Sequence, residues 1–130
     1  MRVSFDYDCT LSEPHVQVIA KSMVYAGHDV WIVTARCDDR PYLKGAALIN
    51  SLNRDLFTVA ERVGIPTDKI VMTEGEFKHK TIVKLDIELH FDDVAEEVHL
   101  IHLAGRNALL MWDSECISYI RHDQFGAGLF

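Results

Sequence analysis

Short apolar runs alternate with amphipathic segments along the chain, which is the pattern of an α/β fold. The apolar runs predict strands over residues 2–6, 29–33, 69–72, 87–91 and 108–112. Helices are predicted over about 14–26, 46–63, 78–85, 94–103 and 116–120, with apolar residues at helical spacing in the first and fourth of these. The segment 50–53, which is polar except for Leu52, leaves open that the helix predicted over 46–63 is two. Strands that alternate with helices in this way predict a parallel sheet with right-handed crossovers.

The composition is that of one globular domain spanning residues 1–130. With 48% hydrophobic residues the chain can bury a proper core. A net charge of -7 argues against strong non-specific nucleic-acid binding, although a local basic patch stays possible. Three cysteines without a C-x-x-C pair indicate reduced thiols rather than a disulfide framework or a zinc site. No signal peptide and no apolar run of roughly 20 residues is present, so we expect a cytoplasmic protein without a membrane span.

Acidic side chains begin where two of the apolar runs end. Asp6 and Asp8 close the first strand, and Asp92 and Asp93 follow the fourth. Because the carboxyl ends of parallel strands open at one edge of the sheet, these carboxylates are expected to meet there. Their mutual repulsion requires a cation, and a hard ion with oxygen ligands such as Mg²⁺ fits best.

Other polar residues are predicted at the same edge. Thr34 ends the second strand, and Arg36 and Arg40 follow it. Lys78 and Lys80 come one helix before the fourth strand. These positions can converge on one pocket although they are far apart in the sequence.

In this order the residues resemble the haloacid dehalogenase-like hydrolase superfamily. The resemblance covers residues 2–112 and rests on the Asp-x-Asp-x-Thr signature, a threonine after the second strand, a lysine and an acidic pair. The signature residues are Asp6, Asp8 and Thr10. The resemblance implies a three-layer α/β/α sandwich with a Rossmann-like parallel five-stranded sheet in the order 5-4-1-2-3. The chain departs from the family at Cys9, where glycine is very frequent.

The resemblance implies a phosphomonoester hydrolase. Asp6 would be the nucleophile and form an aspartyl-phosphate, and Asp8 would act as general acid and then as general base. Thr34 would donate a hydrogen bond to the phosphoryl group, and Lys78 would bridge Asp6 and the phosphoryl oxygens. Lys80 is the alternative for this lysine.

The metal implied by the family pattern is Mg²⁺. Its ligands would be Asp6, the backbone carbonyl of Asp8, and Asp92, with Asp93 binding through water or supporting the ligands. The expected substrate-binding residues are Thr10, Arg36 and Arg40, with a structural ion pair as the alternative for Arg36. His90, inside the fourth strand, is expected to be a packed or hydrogen-bonded side chain rather than a ligand.

The intervals between the predicted strands are too short for a cap domain. An open site favours a phosphorylated substrate larger than a buried metabolite, such as a nucleotide or a nucleic-acid terminal phosphate, or closure by a second subunit in a homo-oligomer. Two alternatives are a scaffold that binds a phosphorylated ligand without turnover and a receiver-type signalling domain. In a receiver domain, however, the acidic pair comes first along the chain, whereas Asp92 and Asp93 come late.

Overall fold

A five-stranded sheet forms the centre of the protein in a computed structural model that describes residues 1–43 and 48–111. The strands are β1 (Arg2–Phe5), β2 (Asp29–Thr34), β3 (Ile70–Met72), β4 (Leu89–Asp92) and β5 (Asn107–Leu110). Every neighbouring pair is parallel. The strand order is β3-β2-β1-β4-β5, which is 5-4-1-2-3 when the sheet is read from the opposite edge.

Four helices connect the strands: α1 (Pro14–Tyr25), α2 (Arg54–Val63), α3 (His79–Lys84) and α4 (Ala95–Leu103). Pro14 starts α1, a position where its missing N–H has no helical partner to lose. Gly64 ends α2 with a φ of 94°, a left-handed conformation that glycine adopts without a side-chain clash. Short 3-10 turns cover Arg40–Tyr42, Leu48–Asn50 and Thr67–Lys69.

Apolar side chains form two clusters, one on each face of the sheet. Side chains alternate along β2, so that Val30 and Ile32 join one cluster while Trp31 and Val33 join the other. Helices α1 and α2 contribute to the first cluster, and α3 and α4 contribute to the second. Burial on both faces explains why these strands read as nearly continuous apolar runs in the sequence.

The predicted element boundaries differ from the observed ones in several places. The helix predicted over 46–63 begins only at Arg54, because residues 51–53 form a turn after the 3-10 segment Leu48–Asn50. Strand β1 stops at Phe5, and β4 starts at Leu89 and includes Asp92. Residues 46–47, Trp112 and the helix predicted over 116–120 lie outside the described residues. Among the described helices, none combines the length and the apolar character needed to cross a bilayer.

Candidate active site

Two similar triplets, Ser4-Phe5-Asp6 and His90-Phe91-Asp92, lie side by side in the centre of the sheet. The β1–β4 register pairs Ser4 with His90 and Phe5 with Phe91. The phenyl rings stack with centroids 4.7 Å apart and belong to the first apolar cluster. Because side chains alternate between faces, the polar members of both triplets point to the other face. The two aspartates are thereby brought together at the carboxyl edge.

Three carboxylates meet at this edge. Asp6, Asp92 and Asp93 each offer an oxygen, and these oxygens lie within 4.8 Å of one another. Asp6 and Asp92 are buried, and Asp93 is half-buried. Ligands of an octahedral Mg²⁺ at about 2.1 Å would lie about 3 to 4 Å apart. The donor set, three carboxylate oxygens, therefore fits a hard divalent cation in its chemistry.

Lys78 is the cation that the structure brings to these carboxylates. It lies just before α3, and its side chain is only 3% exposed. The Nζ atom is 2.7 Å from Oδ2 of Asp92 and 3.1 Å from Oδ1 of Asp6. Lys80, the predicted alternative, is exposed to solvent. Of the two lysines, Lys78 is the one that contacts the acidic side chains.

Glu97 of α4 holds Lys78 in place. Its Oε1 accepts a hydrogen bond from the backbone N–H of Lys78 at 3.0 Å, and its Oε2 lies 3.6 Å from Nζ. Glu97 is itself buried. It is a fourth carboxylate around a single ammonium group, so the cluster carries more negative than positive charge.

The pKa values of the carboxyl groups reflect this imbalance. Burial, together with the charge of Asp92, raises the pKa of Asp6 well above its usual value despite the attraction of Lys78. Burial likewise raises the pKa of Asp93. Burial also opposes ionisation of Asp92, but the hydrogen bond from His90 and the charge of Lys78 hold the pKa of Asp92 below its usual value. A divalent cation would neutralise the excess negative charge.

The Asp8 carboxylate is exposed and is paired with Arg36 rather than with Lys78. Residues Tyr7–Leu11 form a tight turn in which Cys9 has a φ of 58°, the left-handed region that glycine adopts most readily. The exposed carboxylate of Asp8 accepts hydrogen bonds from Nη2 and Nε of Arg36 at 2.7 and 2.9 Å. The same guanidinium binds both oxygens of Asp55 and lies over the Tyr7 ring. Arg36 is therefore bound to two carboxylates of the protein. Metal binding by the backbone carbonyl of Asp8 stays a prediction.

The other predicted residues occupy distinct positions. Thr10 is buried, and its hydroxyl donates to Oδ1 of Asp93 at 3.3 Å. Thr34 is buried at the end of β2, beside the strand that leads to Asp6. Arg40 donates to Asp38 and to the carbonyls of Thr67 and Ile70, which ties its loop to the turn before β3. Substrate binding by Thr10, Arg36 and Arg40 stays a prediction.

Sequence reasoning missed Ser4 and Glu97. Ser4 is polar in a buried strand, but its importance becomes visible only once the register pairs it with His90. Glu97 shares the buried face of α4 with Ile101, four residues later. Its spacing from Ile101 places Glu97 where an apolar residue is expected, which indicates a buried carboxylate. Buried carboxylates are nearly always paired, so a partner could have been sought. Acids are common in the first turn of a helix, so Glu97 did not stand out from the sequence.

Comparisons with known proteins support the fold. No protein-family model and no curated protein matches this chain. A similar solved structure is the crystal structure of an uncharacterized protein from Corynebacterium glutamicum ATCC 13032 Kitasato, with 14% sequence identity and a TM-score of 0.54. The similarity covers 92% of this chain and 91% of that one. At this level of identity the likeness concerns the fold and not the chemistry.

Proposed function

We propose that this chain is a Mg²⁺-dependent phosphomonoester hydrolase of the haloacid dehalogenase-like type, built as a capless three-layer α/β/α sandwich. The observation that carries the proposal is the contact of Lys78 with both Asp6 and Asp92, beside Asp93. These groups come from the first strand, the third helix and the fourth strand, in the order of the motifs that resemble the superfamily.

In the proposed reaction Asp6 attacks the phosphorus atom and forms an aspartyl-phosphate. A phosphate monoester is anionic and repels the carboxylate of Asp6. The positive charge of Lys78 beside Asp6 lowers the barrier to the approach of the carboxylate to the phosphorus atom. Asp6, Asp92 and Asp93 would hold Mg²⁺, which neutralises charge on the phosphoryl oxygens when bound. Thr34, buried at the neighbouring strand end, would donate a hydrogen bond to the same oxygens.

Asp8 would transfer protons in both half-reactions. It would protonate the leaving alkoxide first and then activate the water that hydrolyses the intermediate. Its carboxylate is bound to Arg36 and exposed, so it must leave Arg36 and rotate about its side-chain torsions to reach the leaving group. Asp55 keeps Arg36 paired when Asp8 leaves.

An uncapped site favours a substrate that extends beyond the phosphate. Only α1 lies between the Tyr7–Leu11 turn and β2, and only turns and α3 lie between β3 and β4. Neither interval contains an inserted domain. A nucleotide or the terminal phosphate of a nucleic acid fits such an open edge, and a second copy of the chain would be another way to close it.

The proposal predicts that phosphate release from an aryl phosphate requires Mg²⁺ and Asp6. Asp6→Asn should abolish turnover because the amide is a poor nucleophile, and Asp8→Asn should lower kcat by about 10² to 10⁴, as expected for loss of a general acid. The measurement is phosphate released over time with Mg²⁺ or with a chelator. Asp68→Asn, at an exposed turn, is the matched control and should behave like wild type. A panel of nucleotides, sugar phosphates and 3′-phosphorylated oligonucleotides then identifies the substrate.

A non-catalytic scaffold is the second candidate, and the outward position of Asp8 favours it. On this hypothesis the acidic cluster and Lys78 bind a phosphorylated ligand in the presence of Mg²⁺ but do not cleave it. Binding of panel compounds without any phosphate release would decide for the scaffold and against the hydrolase.

A further inference from the structure

A buried histidine and a buried serine lie behind the acidic cluster. His90 and Ser4 are both 0% exposed. Nδ1 of His90 is 2.6 Å from Oγ of Ser4, and Nε2 is 2.8 Å from Oδ2 of Asp92. An ionised carboxylate only accepts hydrogen bonds, so Nε2 carries the proton and donates it to Asp92. The serine hydroxyl can then donate to Nδ1, which completes a chain from Ser4 through His90 to Asp92.

The hydrogen bonds of Asp92 are unequally divided between its two oxygens. Oδ2 accepts from Nζ of Lys78 at 2.7 Å and from His90, whereas Oδ1 accepts from the backbone N–H of Val94 at 3.0 Å. Each carboxylate oxygen offers about two lone-pair directions. Among the described residues, two donors take both directions of Oδ2, and one direction of Oδ1 is left for another electrophile.

From this division we infer that His90 and Ser4 are positioning residues that fix the Asp92 carboxylate so that Oδ1 binds the metal ion. The inference rests on the proposed function in one respect, because it takes Asp6, Asp92 and Asp93 as the ligands of a divalent cation. It adds two residues without any direct contact to substrate or metal. A supporting partner of this kind typically changes metal affinity 10- to 100-fold when it is replaced.

The experiment measures binding of Mn²⁺, used as a spectroscopic substitute for Mg²⁺, to the metal-free full chain. Free Mn²⁺ is quantified by electron paramagnetic resonance during the titration. His90→Leu removes the donor to Oδ2, and we expect it to raise the Kd by about 10- to 100-fold. His90→Gln keeps an N–H at a similar reach and should recover most of the affinity. Ser4→Ala, which leaves Nδ1 without its partner, should weaken binding less than His90→Leu does.

His102→Gln is the matched control. Nε2 of His102 donates to the carbonyl of Ala108 at 2.9 Å, in a part of the sheet that does not contribute to the acidic cluster. This variant should bind Mn²⁺ like wild type. Thermal unfolding of each variant shows that the titrated protein is folded. If His90→Leu does not fold, the comparison is between Ser4→Ala, which should bind Mn²⁺ more weakly than wild type, and His102→Gln, which should not.

The outcomes separate this inference from the proposed function. If wild type takes up no Mn²⁺ at millimolar concentration, the metal site itself is wrong and the proposed function fails with it. If wild type binds Mn²⁺ and the folded variants His90→Leu and Ser4→Ala bind it equally well, the positioning role is wrong while the metal site stands. Equal losses in folded His90→Leu and His90→Gln would also overturn it, because the N–H donor would then not be the cause.

Discussion

At the scale of single residues, the charge balance of the site depends on Lys78. Its ammonium group lies among the carboxylates of Asp6, Asp92 and Glu97, all of them buried. The attraction of these acids raises the pKa of Lys78 even though burial alone would lower it. Lys78 therefore stays charged over the whole range in which the protein would work, and its removal would leave several buried carboxylates without a counter-charge.

Replacing Lys78 should accordingly damage both stability and turnover. We expect Lys78→Met to lower the free energy of unfolding by about 3 to 5 kcal/mol in metal-free protein, as is typical when one partner of a buried ion pair is removed. The rate of phosphate release should fall by several orders of magnitude. Denaturant unfolding and the aryl phosphate assay are the two measurements.

Lys80→Met is the control for that substitution, because Lys80 is exposed and close in sequence. Its stability should stay within about 0.5 kcal/mol of wild type, the usual range for a surface change. Similar losses of activity in the two variants would contradict the assignment of Lys78 as the phosphate lysine.

At the scale of elements, the apolar runs indicated the strands of the described chain, and helical spacing indicated α1 and α4, whereas α3 was expected only from the length of its segment. What the pattern could not supply is the register between β1 and β4, since strand pairing is a long-range property. For the same reason the sequence indicated no role for Ser4, and for His90 it predicted only a packed or hydrogen-bonded side chain. The Arg36 pairs with Asp8 and Asp55 were equally hidden, because they depend on how α2 is placed beside the Tyr7–Leu11 turn.

The end of α2 provides a test of packing between elements. Gly64 has a φ of 94°, and a Cβ atom there would lie 3.2 Å from Cγ1 of Val24 on α1. Gly64→Ala should therefore cost the left-handed strain of about 1 to 2 kcal/mol and a further contribution from crowding. Gly105→Ala is the matched control, since Gly105 has a φ of 81° but no atom of the described residues lies within 4 Å of an added Cβ. Thermal unfolding should show the larger loss for Gly64→Ala, and an equal loss in both would mean that the α1–α2 contact is looser than the structure indicates.

At the scale of the whole molecule, the parallel arrangement concentrates negative charge at one edge of the sheet. An acid whose pKa is raised by folding stabilises the folded state while it is protonated. This stabilisation is complete below the unfolded pKa and is lost as the pH rises through the folded pKa. Asp6 and Asp93 both have raised pKa values, so metal-free protein should lose this contribution to stability as the pH rises from the unfolded pKa through the folded values.

Mg²⁺ should restore that lost stability. At a concentration 100 times its Kd, a ligand that binds only the folded state adds about 2.7 kcal/mol. We expect the Mg²⁺-induced rise in Tm to be larger at pH 7.5 than at pH 5, because protons compete for Asp6 and Asp93 at the lower pH. Calorimetry with and without Mg²⁺ at both values is the measurement. An equal rise at the two pH values, or an undiminished rise in Asp6→Asn, would contradict ion binding at the acidic cluster.

The side-by-side placement of the two triplets also bears on how the protein folds. Ser4 and His90 are separated by 86 positions in the chain. A slip of β4 by a single residue would send Asp92 into the apolar layer beneath the sheet and expose Phe91 to the acids. The proposed ion binding would therefore arise only after this distant pairing is complete, and its recovery during refolding would report correct strand alignment rather than non-specific collapse.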